Sequence, residues 1–169
     1  KSNSNINILK LVKKMGLGAD VVSKGELLKV LKAGITPKKI VFSGVGKNYE
    51  ELNLAIKKKI LLINAESESE IRKIEKIARK RRVKVNIGIR LNPDTDAKTL
   101  KEISTGKEEN KFGLTKKKFL YLIKKYKNSN FINITCLSVH IGSQITNHVP
   151  YKRMLDVVNK TINEAKYKF

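Results

Sequence analysis

Few residues in this chain have side chains suited to chemistry, and their neighbours narrow what each could do. Histidine occurs twice. His140 lies in the stretch ITCLSVHIGSQI (134–145), inside an apolar run that then meets Gly142 and Ser143. An imidazole there either packs in a core or faces a ligand. Gly142 lets a backbone approach closely, and the Ser143 hydroxyl can donate to an anionic oxygen. Arg90 ends the run VNIGIR (85–90). A guanidinium among strand-forming residues needs an anionic partner. That partner is either a bound ligand or a carboxylate such as Asp20 in a buried ion pair. Cys136, the single cysteine, reads as a small core residue, and His148 as a surface one. The segment GVGK (44–47) lacks the earlier glycine and the following Ser or Thr of a phosphate-binding Walker loop, so it reads as a turn between a strand and a helix. No residues stand at metal-ligand spacing, and no metal is expected.

Composition sets outer bounds. A chain of 169 residues, 40% of them hydrophobic, can form one domain with a core. No apolar run approaches the ~20 residues that span a bilayer, and the opening KSNSNINILKLVKKMG lacks the continuous apolar region and small-residue cleavage site of a secretory signal. One cysteine precludes an internal disulfide and fits a reducing compartment, so we expect the cytoplasm. The net charge of +22 raises nucleic acid as a partner. However, only six of the 37 basic residues are arginine. The lysines are spread over every helical segment, and no zinc-finger, RNP-type or GXXG motif accompanies them. The densest cluster, ARKRRVK (78–84), reads as a solvated helix end.

The elements that must hold these residues repeat in order: a short β-branched run, a polar turn, an amphipathic helix. ADVVS (19–23) precedes KGELLKVLKAG, where Leu27, Leu28, Val30 and Leu31 make a helical stripe. KIVFSG (39–44) precedes NYEELNLAIKKK. LLINAES (61–67) precedes SEIRKIEKIARKRR, with Ile71, Ile74 and Ile77 three apart. VKVNIGIRLNP (83–93) precedes a long polar loop and TKKKFLYLIKKY. INITCLSVHIGS (132–143) precedes a last helix that Pro150 opens in its first turn. NILKLVKKM reads as a helix whose own strand would precede residue 1.

Strands alternating with helices imply a parallel sheet. Alternation then favours a barrel over an open sheet. Val85, Ile87, Ile89 and Leu91 share one face, opposite Asn86, Gly88, Arg90 and Asn92. Leu137, Val139 and Ile141 share one face, opposite Cys136, Ser138 and His140. Sheets covered by helices on both sides are apolar on both faces. One apolar and one small or polar face suits a (β/α)₈ barrel, with Arg90 and His140 pointing inward at the carboxyl ends of their strands, where barrel enzymes keep their chemistry. Five strands plus one implied fall short of eight, so residues 1–169 are expected to be an incomplete barrel domain.

With these segments in order, the chain resembles the alanine-racemase-like barrel decarboxylases, the ornithine/diaminopimelate/arginine group (fold type III among pyridoxal-phosphate enzymes). Lys1, Ser2 and Asn3, followed by Ile8, Leu9, Val12 and Gly16, fall on the spacing of that group's cofactor-attachment segment. GADVVSKGEL (18–27), VFSGVGKNYEEL (41–52) and LSVHIGSQI (137–145) look like its second, third and sixth strands. IRLNPDTDAKTLKEISTGKEENKFGL (89–114) is close to a stretch typical of the members acting on diaminopimelate. The resemblance implies pyridoxal 5'-phosphate as cofactor and decarboxylation of meso-2,6-diaminopimelate to L-lysine. Ornithine, arginine or carboxynorspermidine are the alternative substrates, and a basic nucleic-acid-binding module is the reading from another class.

The resemblance also assigns roles. Lys1 would be the amine that bonds the cofactor aldehyde. His140 would lie against the ring, Ser143 with Gly142 near the phosphate, Arg90 would give electrostatic support, and Asp20 would be an inward carboxylate orienting the lysine or ring. Lys107, Lys111 and Phe112, in a loop longer than most connections, would shape the substrate entrance. It implies a homodimer with shared active sites, a small amino-acid substrate, and a C-terminal β-rich domain and last barrel units outside these residues. A segment lacking those parts is expected to be inactive alone.

Overall fold

The strands Ala19–Val21 and Leu62–Ala65 each end two residues before a serine that caps the next helix. The computed structural model describes residues 3–94 and 112–169. In chain order these hold α1 (Ile6–Lys14), β1 (Ala19–Val21), α2 (Lys24–Lys32), β2 (Ile40–Phe42), α3 (Tyr49–Lys57), β3 (Leu62–Ala65), α4 (Glu68–Arg81), β4 (Val85–Arg90), α5 (Lys116–Tyr126), β5 (Ile132–Ser138) and α6 (Val149–Ala165). Ser23, Ser67 and Thr115 cap α2, α4 and α5 by accepting a backbone N–H three residues on. Asn48 and Glu51 form a reciprocal capping box on α3. Each such cap contributes about 1 kcal/mol and fixes where a turn ends.

The strands follow the order β1-β2-β3-β4-β5. The pairing is parallel, with Asp20 opposite Val41 and Val41 opposite Leu62. The chain divides into two compact units, Lys1–Ile87 with Asn130–Asn133, and Gly88–Ser129 with Ile134–Phe169. In the first, Val21, Phe42 and Ile63 are buried on the helix side of the sheet together with Leu27, Val30, Leu52, Ala55, Ile71, Ile74 and Ile77. Asp20, Val41 and Leu62 form a row on the other side, and Ser43 and Asn64 stand one step further toward the carboxyl ends. The expected stripe on α2 needs one correction. Leu28 is 47% exposed, because at 100° per residue it points about 130° away from the middle of the face that Leu27 and Val30 define.

The basic cluster at the end of α4 is partly engaged within the same unit. The Arg79 guanidinium lies 4.9 Å from the centre of the Phe131 ring, and Arg81 Nε donates to Asn53 Oδ1 at 2.8 Å. In the second unit α5 buries Phe119, Leu122, Ile123 and Tyr126 along one face. Lys116 of α5 pairs with Glu164 of α6, Tyr167 Oη donates to the Ile134 carbonyl at 3.1 Å, and Phe169 stacks on Phe119. Among the described residues no helix is long and apolar enough to cross a membrane.

β4 alternates as expected. Val85, Ile87, Ile89 and Leu91 are at most 8% exposed, whereas Asn86, Arg90 and Asn92 are half-buried. β5 does not alternate throughout. Val85 N–H donates to the Phe131 carbonyl and Asn133 Nδ2 to Asn86 Oδ1 at 2.8 Å, so Asn133 shares the Asn86 face and Ile132 and Ile134 are buried on the other. Leu91 N–H donates to the Ser138 carbonyl at 2.8 Å, which in a parallel ladder sets Val139 opposite Leu91. Between these points β5 holds one residue more than β4, a β-bulge. The register gives Ser138 the expected facing, and Ile132 and Ile134 at the start of the strand have the opposite parity to Val139.

Candidate functional site at the carboxyl end of the sheet

Arg90 is the last residue of β4. Its guanidinium lies 5.3 Å from the centre of the Phe112 ring. The chain returns there under tight constraint. Leu114 N–H donates to the Arg90 carbonyl and Asn92 N–H to the Leu114 carbonyl, both at 2.8 Å, and Leu114 bridges Leu91 in parallel. Gly113 has φ +82°, and a Cβ on it would lie 3.0 Å from Asn92 N and 3.1 Å from the Arg90 carbonyl oxygen. Only glycine fits that turn without strain.

On the neighbouring strand, the register sets Ser138 beside Arg90, and His140 follows two residues past the end of β5. His140 is exposed. Gly142 has φ +148°, a conformation that favours glycine, and Ser143 after it is exposed. An imidazole, an open turn and a hydroxyl therefore occur within four residues at a strand end. Cys136 is half-buried, and burial pushes its thiol pKa up, the opposite of what an activated nucleophile needs. His148 is exposed and precedes α6 without making a side-chain cap.

In the first unit Asp20 is exposed in the middle of β1. Lys1, Lys107 and Lys111 lie outside the described residues. Of the sequence-derived candidates, Arg90 and Phe112 are in direct contact.

One cluster escaped the sequence reading. Lys47, in the turn after β2, is 4% exposed. Its ammonium donates to the Gly44 carbonyl, to the Asn64 carbonyl at 2.7 Å and to Glu70 Oε1 at 2.7 Å, which uses all three of its donors. Glu70 Oε2 accepts the Glu66 N–H at 2.9 Å. Glu70 also sits in the first turn of α4, where the helix dipole favours a carboxylate. The pair ties the turn after β2 to the end of β3 and the start of α4. Beside it Asn64 Nδ2 donates to Ser43 Oγ at 3.1 Å, while Asn64 Oδ1 is buried without a hydrogen-bond partner. The available signal was a lysine placed between two glycines and a helix cap, where a solvated lysine has no reason to be preferred.

Parallel strands with covering helices, chemistry-bearing side chains gathered past the strand ends and helices capped at that same end define a segment of a (β/α)₈ enzyme barrel. Comparison with known proteins gives the family. The model of the pyridoxal-dependent decarboxylase pyridoxal-binding domain matches residues 1–169, and the chain belongs to that family, whose fold type III barrel it shares in part. It is 50% identical over 145 residues to a diaminopimelate decarboxylase of Helicobacter pylori (86% of this chain, 36% of the relative). It is 43% identical over 170 residues to the diaminopimelate decarboxylase of Campylobacter jejuni (98% and 41%). The crystal structure of Helicobacter pylori diaminopimelate decarboxylase complexed with L-lysine superposes with a TM-score of 0.92 at 44% identity, covering 96% of this chain and 41% of that one. The chain thus spans about two fifths of the length of these relatives.

Proposed function

We propose that this chain is the cofactor-binding barrel segment of a pyridoxal-phosphate-dependent diaminopimelate decarboxylase, which converts meso-2,6-diaminopimelate to L-lysine and CO2. The observation that carries the reading is the exposed imidazole, glycine turn and exposed serine at 140–143, just past the end of β5, the strand next to the one that Arg90 closes. A planar aromatic phosphate monoester needs a flat group against its ring, hydroxyl and backbone donors at its phosphate, and positive charge nearby. The side chains at this strand end fit that demand. The identities of 50% and 43% to diaminopimelate decarboxylases support this substrate over ornithine, arginine or carboxynorspermidine.

In this reading Lys1 holds the cofactor covalently and His140 lies against its ring. Ser143 and the backbone at Gly142 donate to its phosphate. Arg90 supplies positive charge, and Asp20 orients the lysine or the ring. Lys107, Lys111 and Phe112 shape the entrance for the amino-acid substrate. When bound, the cofactor ring takes up the electron pair left on the substrate α-carbon as CO2 departs. Residues 1–169 form an incomplete barrel domain, and the whole enzyme is a cytoplasmic homodimer whose chains share active sites.

The test uses the full-length protein that carries this segment. Reconstituted with pyridoxal phosphate, it should develop the visible absorbance band of lysine-bound cofactor, lose it on Lys1→Ala, and release CO2 from meso-diaminopimelate in preference to L-ornithine and L-arginine. A soluble, folded protein without the band would refute the cofactor reading. A band with activity on ornithine alone would refute the substrate.

A further inference from the structure

We propose that Phe112 is a positioning residue for Arg90. Its ring fixes the guanidinium at the end of β4, so that substitutions at 112 act on cofactor binding through Arg90. The inference rests on the carboxyl end being the cofactor site. The contact is a guanidinium over a ring face at 5.3 Å, inside the range where the ring quadrupole attracts a cation. Both side chains are half-buried, which strengthens the attraction relative to an exposed pair.

The ring is not loosely placed. Gly113, at φ +82°, lies so close to the backbone of residues 90–92 that a Cβ would stand 3.0–3.2 Å from it. Leu114 is hydrogen-bonded on both sides, to Arg90 and to Asn92. Phe112 is therefore the residue next to a backbone locked onto the strand that carries Arg90. An arginine has several rotatable bonds, and a ligand pays to order them unless the protein already has. A ring face supplies that order and brings no formal charge of its own. A carboxylate at 112 would order the guanidinium equally well but would offset the positive charge an anionic ligand seeks.

The experiment is a cofactor titration of the full-length apoprotein, read by the visible band, for the wild type, F112Y, F112L, R90M and the double variant R90M/F112L. Urea denaturation of each apoprotein runs in parallel. F112Y keeps the ring face and should bind within about twofold of wild type. F112L keeps apolar bulk but has no quadrupole and should bind about three- to tenfold more weakly. In the R90M background F112L should add less than about twofold, because the group that the ring orients is gone. Wild-type binding by F112L, or an undiminished loss in the R90M background, would overturn the proposal. If F112L does not fold, F112M takes its place. If the wild type forms no band, the cofactor reading fails. The urea cycle then decides the contact by itself: non-additive F112L and R90M effects uphold it, and additive effects reject it.

Discussion

Replacing Lys47 by methionine should destabilise the protein far more than a lysine in a surface turn would. The ammonium and the Glu70 carboxylate are both inside, with side chains 1% and 8% exposed. Removing one member of a buried pair leaves the other charged without its counter-charge, which costs about 3–5 kcal/mol. The Glu70→Leu change alone leaves a buried ammonium and should cost a similar amount. The double change K47M/E70L removes both charges. It still strips donors from the Gly44 and Asn64 carbonyls and the acceptor from Glu66 N–H, at roughly 1 kcal/mol each where water can partly substitute. The double variant should therefore lose about 3 kcal/mol, much less than the two single losses added together. On a domain of this size each kcal/mol moves the melting temperature by about 2–4 °C, so K47M should melt roughly 6–20 °C lower than wild type. Urea unfolding of the full-length apoprotein and of the three variants measures the cycle. Single losses below about 1 kcal/mol, or losses that simply add, would show that water already solvates this pair and that the burial argument is wrong.

Two other outcomes follow from local geometry. Gly113→Ala puts a methyl group within 3.0–3.2 Å of backbone atoms of residues 90–92 at φ +82°. It should cost roughly 1–3 kcal/mol in urea unfolding, and a neutral substitution would contradict the tight return over β4. Cys136 has its thiol pKa raised by burial, so the folded state holds the proton more tightly than the unfolded one. The stabilisation this gives is fully present below the ordinary thiol pKa of about 8.5 and is lost as pH rises through the folded value. Alkylation by iodoacetamide should accordingly show a higher pH midpoint in the folded protein than in urea, and an equal or lower midpoint would refute the assignment.

Features set by local sequence were legible, and features set by distant partners were not. The caps at Ser23, Asn48, Ser67 and Thr115 each stand just before an apolar helical stripe, so helix starts could be read along the chain. The alternation in β4 was equally plain, since one face packs on helices and the other does not. Lys47 finds Glu70 at a separation of 23 residues, across a strand and into the next helix. The ESESE stretch offers three glutamates of equal standing, and only the folded turn selects one. Phe112 meets Arg90 across a comparable gap. A long polar loop gives no sign of where its last residues return.

β5 shows why alternation alone misleads near a site. Ile132 and Ile134 are each about 1% exposed, and Val139 is paired opposite buried Leu91. These positions have opposite parity, so no straight strand can turn all of them toward the helices. A straight β5 that kept Ile132 and Ile134 inside would direct Ser138 and His140 into the helix layer, where an imidazole must be desolvated and partnered. A straight β5 that kept Val139 and Ile141 inside would expose the two isoleucines, at about 1.5–3 kcal/mol each. The extra residue between Asn133 and Ser138 removes the conflict. It lets the base of the strand build the core while its end presents Ser138 on the face of Arg90, two residues before His140. The same change of phase is visible in the sequence as apolar residues at 132 and 134 followed by 137, 139 and 141. A break in strand parity just before a histidine is therefore itself a signal that the strand has been re-aimed.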